Sequence, residues 1–435
     1  MSIAIIQGRA QDGVNSPSVT IEVHISAGLP KILIVGLPEK AVKESQDRVR
    51  SAILNSNFFF PSRRVTVNLA PADLPKEGCR FDLPIAIGIL AATGQIPDDD
   101  LSQYEFAGEL ALSGKLRSFP GALPLALATH KAGKKLIIPD KNSREVGMIP
   151  DINAFAADTL LNVCHHIAKN NSLPLIKNNS SSYTNPKIKF DLKDVKGQIE
   201  AKRALEIAAS GGHNILLKGP PGTGKTMLAS RLPELLPSLS IEKALEVASI
   251  HSVRGLSRKI GDFFTPTFRR PHHSASAISL VGGGSHPKPG EISLAHQGVL
   301  FLDEMPEFDR NVLEVLREPL ESGVINISRI NKNAQYPARF QLIAAMNPCP
   351  CGYLGSINRS CKCSVNQIQR YQNKLSGPLL DRIDLHISVP DLPQSFLLED
   401  KTPAESSEEV KKRIIKTRNI QISRQKCLNS MLDAA

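Results

Sequence analysis

The octapeptide GPPGTGKT, Gly219 to Thr226, carries the strongest chemical signal in the chain. It satisfies the spacing G-x-x-x-x-G-K-[ST] at every defined position. Gly219, Gly222 and Gly224 let the backbone wrap a phosphate chain with its N–H groups inward, and Pro220, Pro221 and Thr223 complete the loop. Lys225 is spaced to reach β- and γ-phosphates, and Thr226 to ligate Mg²⁺. The residues on either side supply the context such a loop needs. NILLKG, Asn214 to Gly219, reads as a short buried strand, and MLASRLPELL reads as a helix whose positive end faces the same phosphates. A Gly/Pro-rich turn without a ligand is the plain alternative, and the flanking strand and helix argue against it.

Two further apolar strands end in residues of matching chemistry. GVLFLDE, Gly298 to Glu304, delivers Asp303, suited to Mg²⁺ coordination, and Glu304, suited to activating an attacking water. FQLIAAMN, Phe340 to Asn347, ends in an amide able to orient that water against a γ-phosphate. Asn347 also opens NPCPCGYLGSINRSCKC, which holds Cys349, Cys351, Cys361 and Cys363, four of the seven cysteines. Four thiolates suit tetrahedral Zn²⁺. Reduced free thiols and a redox disulfide stay open as alternatives, because C-x-C has a narrower bite than C-x-x-C. Gly352 and Gly355 permit the tight path a metal knuckle needs. His272, His273, His286 and His296 lack such spacing and read as packing or nucleic-acid contacts.

The elements that must position these groups form two blocks. KNNSLPLIKNNSSSYTNPK, within residues 169–187, has linker chemistry. Before it, residues 1–168 alternate strands (Val19 to Ile25, Lys31 to Leu37, Arg64 to Ala70, Lys134 to Pro139) with helices (Lys40 to Ser56, Phe81 to Gly94), which is mixed α/β. After it, residues 188–395 hold the phosphate loop and its companion strands. Residues 396–435 start a helical segment.

At 435 residues, two or three domains are expected. A net charge of +11 favours polyanionic partners such as nucleic acid, whereas 5% aromatics and no tryptophan argue against a surface built on base stacking. The sequence has neither an apolar run long enough for a membrane helix nor a secretory leader, and its clustered cysteines point to the reducing cytoplasm.

The strand–loop–helix order with an acidic strand end and a polar third strand resembles an AAA+ ATPase core. Longer stretches narrow the resemblance: Arg269 to Phe308, Asn311 to Gly323, Ala344 to Gly355 and Gly377 to Ile387 are similar to the magnesium-chelatase-like branch, specifically ComM/YifB-type proteins. The resemblance implies a homo-hexameric ring that hydrolyses ATP with Mg²⁺ and drives DNA branch migration when transforming DNA is integrated. It implies that a neighbouring subunit supplies Arg382 of LLDRID as an arginine finger, with a salt bridge to Asp381 or Asp384 as the alternative. Arg317 is a weaker interface candidate, equally readable as an ion-pair partner. It further implies a β-hairpin over Val324 to Phe340, with Arg329 and Lys332 near its tip, and a glycine-rich loop carrying Lys288. These three cations are candidate DNA contacts; a solvated hairpin tip and a mobile turn are the bland readings.

Residues 71–92 and 107–139 look like the Lon-protease (S5-type) fold. The fold class expected is thus α/β, a degenerate Lon-like domain followed by an AAA+ P-loop domain with an incomplete C-terminal helical lid. Aligned on flanking glycines, the protease's serine falls at Arg80 and its lysine at about Leu123. Arginine is no nucleophile and leucine accepts no proton, so proteolysis by that dyad is not expected. Lys76, Arg80, Arg63 and Arg64 would instead make the domain a basic scaffold. The lid resemblance ends after Ser406 to Ala435 without its sensor arginine. A chelatase-like or protein-remodelling ATPase, and an ATP-binding remnant without turnover, are therefore the competing expectations.

Overall fold

The computed structural model describes residues 2–178, 190–284, 287–329, 332–393 and 404–432. The chain divides into two compact units, Met1–Thr184 with Ala248–Phe263, and Asn185–Val247 with Phe264–Ala435. The first unit thus takes in a segment that lies, in sequence, between the phosphate loop and Asp303. Much of the expected linker falls in 179–189, outside the described residues.

In the first unit a four-stranded sheet runs Ser2–Arg9, Ser18–Ser26, Arg64–Ala70, Lys31–Val35. The first three pair antiparallel and the last pair is parallel. Alternation explains the long central strand: along Ser18–Ser26 every second residue from Val19 to Ile25 is buried. The helix Asp82–Ala92 is apolar all round and every one of its residues is buried, as the sequence anticipates for a core helix. It lies against the first two strands, closely at Gly88, where a Cβ would stand 2.5 Å from Val23 Cγ2. The stretch read as one helix over Lys40 to Ser56 is two, Lys40–Lys43 and Ser45–Asn55. The strand Ser2–Arg9 was not among the expected elements. A second sheet of three parallel strands, Tyr104–Phe106, Lys135–Pro139 and Ala154–Ala157, completes the unit.

The basic scaffold expected of this unit needs correction at two positions. Lys76 and Arg80 are buried at 0% and 5% exposure, so neither presents charge to a partner; Arg63 and Arg64 are exposed. Arg80 Nη2 donates to the Pro120 carbonyl at 3.0 Å and also bonds Gln11 Oε1, and its guanidinium lies 5.2 Å from the Phe119 ring centre. Leu123, aligned with the protease lysine, is buried in the helix Ala122–Lys131.

The second unit is built on five parallel strands in the order Phe268–Arg269, Val299–Leu302, Gln341–Met346, Ile215–Lys218, Leu385–Ser388. All residues of Val299–Leu302 and Gln341–Met346 are buried, which is why these strands read as continuous apolar runs and do not alternate. Leu205, Leu228, Leu232, Ile215, Phe301 and Ile343 share its core. The helix Ser407–Gln425 opens with a capping box at Ser406 and packs on the helices Ile199–Gly211 and Lys225–Leu235. Arg413 ties it to Glu206 at 2.8 Å, and Ile420 and Ile422 on it are exposed. No helix among the described residues is long and apolar enough to cross a membrane.

Candidate nucleotide site

Parallel strands with their loops at one end place functional groups outside their carboxyl ends. Three neighbours in the sheet do so here. Lys218 is level with Met346 and Leu302 with Ala344, so the phosphate loop, Asp303 and Asn347 emerge side by side from adjacent strands. Together Pro221 to Met227, Asp303, Glu304 and Ala345 to Asn347 line a cleft of about 390 Å³.

The loop's glycines are there for two reasons. Gly222 and Gly224 have φ of +82° and +88°, a region that side chains other than glycine rarely adopt. Gly219 is confined by approach: a Cβ there would stand 2.1 Å from the Val389 carbonyl oxygen, at the end of the last strand. Lys225 opens the following helix, and its ammonium donates to the carbonyls of Gly219 and Pro220, both at 2.7 Å, and to Asn347 Oδ1 at 3.3 Å. Burial lowers the lysine's pKa, opposed by the charges of Asp303, Asp391 and Glu304.

Thr226 Oγ1 donates to Asp303 Oδ2 at 2.9 Å. These hard oxygens, one from the loop and one from the strand end, form a donor set suited to Mg²⁺. Glu304 sits in the left-handed region at φ +52°, a costly conformation for glutamate, and its N–H donates to Asp303 Oδ1 at 3.1 Å. That turn carries its carboxylate to the cleft and starts the 3₁₀ turn Met305–Glu307. Asn347 is held from behind. Next to it Gln372 Nε2 donates to the Pro348 carbonyl at 3.1 Å, and burial pushes the Tyr371 hydroxyl up to about 12.

Two groups were missed as site residues. Arg270 Nη2 lies 2.7 Å from Asp303 Oδ2, with its guanidinium 5.5 Å from the Phe301 ring centre. His273 Nδ1 lies 3.7 Å from Glu304 Oε2. They come from the strand Phe268–Arg269 and the turn after it, at the sheet edge beside Val299–Leu302. The run RRPHH carries no sequence signal for this role, because the pairing of its strand with the acidic one appears only in the fold. His296, read as a packing or nucleic-acid contact, is 2% exposed and accepts from the Arg339 N–H at 3.1 Å, which is packing. His286 lies outside the described residues.

Arg382 does not line the cleft. It is half-exposed and paired with Glu321, Nε to Oε1 at 2.8 Å, not with either aspartate beside it. Asp384 instead accepts from the Asn214 N–H at 3.0 Å. Arg317 pairs with Glu314 at 3.3 Å. The hairpin is present as Val324–Arg329 paired with Lys332–Pro337; the side chains of Arg329 and Lys332 lie outside the described residues. Lys288 is exposed on a short ladder with Gly282–Gly283. That glycine loop and the hairpin are joined, because the Tyr336 hydroxyl donates to the Pro287 carbonyl at 2.7 Å.

Relatives carry both units. Residues 191–397 match the family described as magnesium chelatase, subunit ChlI, and residues 21–142 match that described as subunit ChlI of Mg-chelatase. The chain is 53% identical to competence protein ComM of Haemophilus influenzae, over 100% of this chain and 86% of the relative. It is 52% identical to the uncharacterised protein YifB of Escherichia coli, over 100% of this chain and 85% of the relative. Identity to the magnesium-chelatase subunit ChlI of Olisthodiscus luteus is 27%, over 38% of this chain and 52% of the relative. Matched along its whole length and in both units, the protein belongs to the magnesium-chelatase ChlI family, alongside ComM and YifB.

Proposed function

We propose that the chain is an ATP-hydrolysing AAA+ motor that works on DNA, moving branched or single-stranded intermediates during recombination of incoming DNA. The observation that carries the reading is the convergence of Lys225, Thr226, Asp303, Glu304 and Asn347 on one cleft from three adjacent parallel strands. The backbone of Gly219 to Thr226 cradles the phosphates, and Lys225 leaves its loop carbonyls to meet them. Thr226 and Asp303 would hold Mg²⁺, which neutralises phosphate charge when bound. Glu304 takes the proton of the attacking water, and Asn347 orients that water. Arg270 and His273 hold the two carboxylates in place.

Hydrolysis between subunits of a homo-hexamer follows if Arg382 exchanges Glu321 for a neighbour's nucleotide. Lys288 with Arg329 and Lys332 would meet DNA phosphates from the joined glycine loop and hairpin. The link to competence rests on the name of the ComM relative. The first unit, read as a Lon-like fold without its dyad, serves as scaffold. A chelatase-like or protein-remodelling motor is the second reading, favoured by the family's own description. The deciding experiment is ATP hydrolysis with and without forked DNA. DNA-stimulated turnover, lost in Lys225→Ala and Glu304→Gln and desensitised in Lys332→Ala, is expected. Turnover indifferent to DNA selects the second reading, and nucleotide binding without turnover selects a remnant.

A further inference from the structure

The four cysteines after Asn347 are not used by any step above, and their geometry is specific. Cys349 Sγ lies 3.4 Å from Cys351 Sγ and 3.7 Å from Cys361 Sγ, while Cys351 and Cys361 are 3.6 Å apart. With Cys363 included, all four sulfurs fall within 4.8 Å of one another. A tetrahedral zinc with Zn–S bonds of about 2.3 Å has S···S edges of about 3.8 Å. A multi-iron cluster spreads its thiolates over separate irons and needs a wider cage. The Cys363 N–H also donates to Cys361 Sγ at 3.4 Å, an outer contact of the kind that orients a metal-bound sulfur.

The same loop is tied to the nucleotide site at several points. Gly352, at φ +84°, packs so closely on the phosphate loop that a Cβ would stand 2.8 Å from Pro221 Cγ and Cδ. Ser356 hydrogen-bonds Asp391, whose charge acts on Lys225. Directly after Cys363, the Ser364 capping box starts the helix Val365–Gln372, whose Gln372 holds the Pro348 carbonyl next to Asn347.

We propose that Cys349, Cys351, Cys361 and Cys363 bind one structural zinc ion, and that this knuckle sets the position of the phosphate loop at Pro221 and of Asn347. The site closes with four protein ligands and leaves no position for chemistry, so its role is to hold the loop. The second half rests on the nucleotide reading; the metal itself does not.

The test begins with wild-type protein purified without chelator or metal-affinity resin. Elemental analysis should find about one zinc per chain, released stoichiometrically when a mercurial titrates the thiols. Absence of metal, bound iron, or a disulfide between these cysteines would overturn the site without any variant. Cys351→Ser and Cys361→Ser should lose the zinc, whereas Cys427→Ser, outside the cluster, should keep it. Gly352→Ala tests the coupling: it should retain zinc yet bind a fluorescent ATP analogue several-fold more weakly. Unchanged affinity in a zinc-replete Gly352→Ala protein overturns the coupling. Wild-type protein that holds zinc but binds no nucleotide would sink the nucleotide reading and leave the metal site standing.

Discussion

Each unit buries a cation against carbonyl oxygens, and the two differ in what else is nearby. Arg80 in the first unit bonds the Pro120 carbonyl and Gln11, while its Nε and Nη1 have no hydrogen-bond partner among the described residues. Burial lowers its pKa to about 10, with only Glu77 acting to raise it. Lys225 in the second unit also rests on two carbonyls, but it faces Asp303, Glu304 and Asp391 across an open cleft. A buried cation on which a single acid acts is a packing element whose desolvation is a cost. One poised among acids beside a cleft can change partners, and that is the property a phosphate site needs. Arg80 thus belongs to the first kind, and Lys225 to the second.

The contrast can be broken most severely at Glu304. Glu304→Gln should lower ATP turnover by about 10²–10⁴-fold while leaving nucleotide binding intact, as measured by steady-state hydrolysis and fluorescent-nucleotide titration. Retained turnover would remove Glu304 from the reaction. Lys225→Ala should lower turnover by about 10²–10³-fold and weaken binding as well. Arg382→Ala should reduce turnover about tenfold or more, with nucleotide affinity of the isolated chain unchanged. Mixing it with Glu304→Gln chains should restore activity at those interfaces where a native arginine meets a native glutamate; no recovery would mean that Arg382 acts only through its own Glu321. The smallest effect belongs to Arg80→Met. Its lost hydrogen bonds and relieved desolvation oppose each other, so stability should fall by only about 1 kcal/mol in urea titration. Hydrolysis per folded chain should stay within about twofold of wild type. A large catalytic loss there would erase the distinction drawn above.

Spacing along the chain made the phosphate loop, Asp303, Glu304 and Asn347 legible as candidates, because each follows a short apolar strand and such strands pair in parallel with their ends in one place. The helix Asp82–Ala92 was legible for the same reason, its apolar residues covering every face. The edge strand Ser2–Arg9 escaped because it forms by pairing antiparallel with Ser18–Ser26, a partner that its own residues do not announce. Arg270 and His273 escaped as site residues because no local pattern says that a basic run will lie beside an acidic strand end more than thirty residues later. Ala248–Phe263 likewise reads as part of the second block, yet it belongs with the first unit.

By itself, then, the sequence determined the local pattern: which loop has the spacing of a phosphate cradle, which strands are buried, and which cysteines are close enough in the chain to share an ion. Tertiary structure alone decided which charges face solvent and which are sealed, as at Lys76 and Arg80, and which arginine pairs with which acid, as at Arg382 with Glu321 and Arg270 with Asp303. It also decided that the cysteine loop touches the phosphate loop at Gly352. The physical reason is range. Strand and loop conformations follow from neighbours a few residues apart, whereas burial and charge pairing depend on groups that only the packed fold brings within a few ångströms.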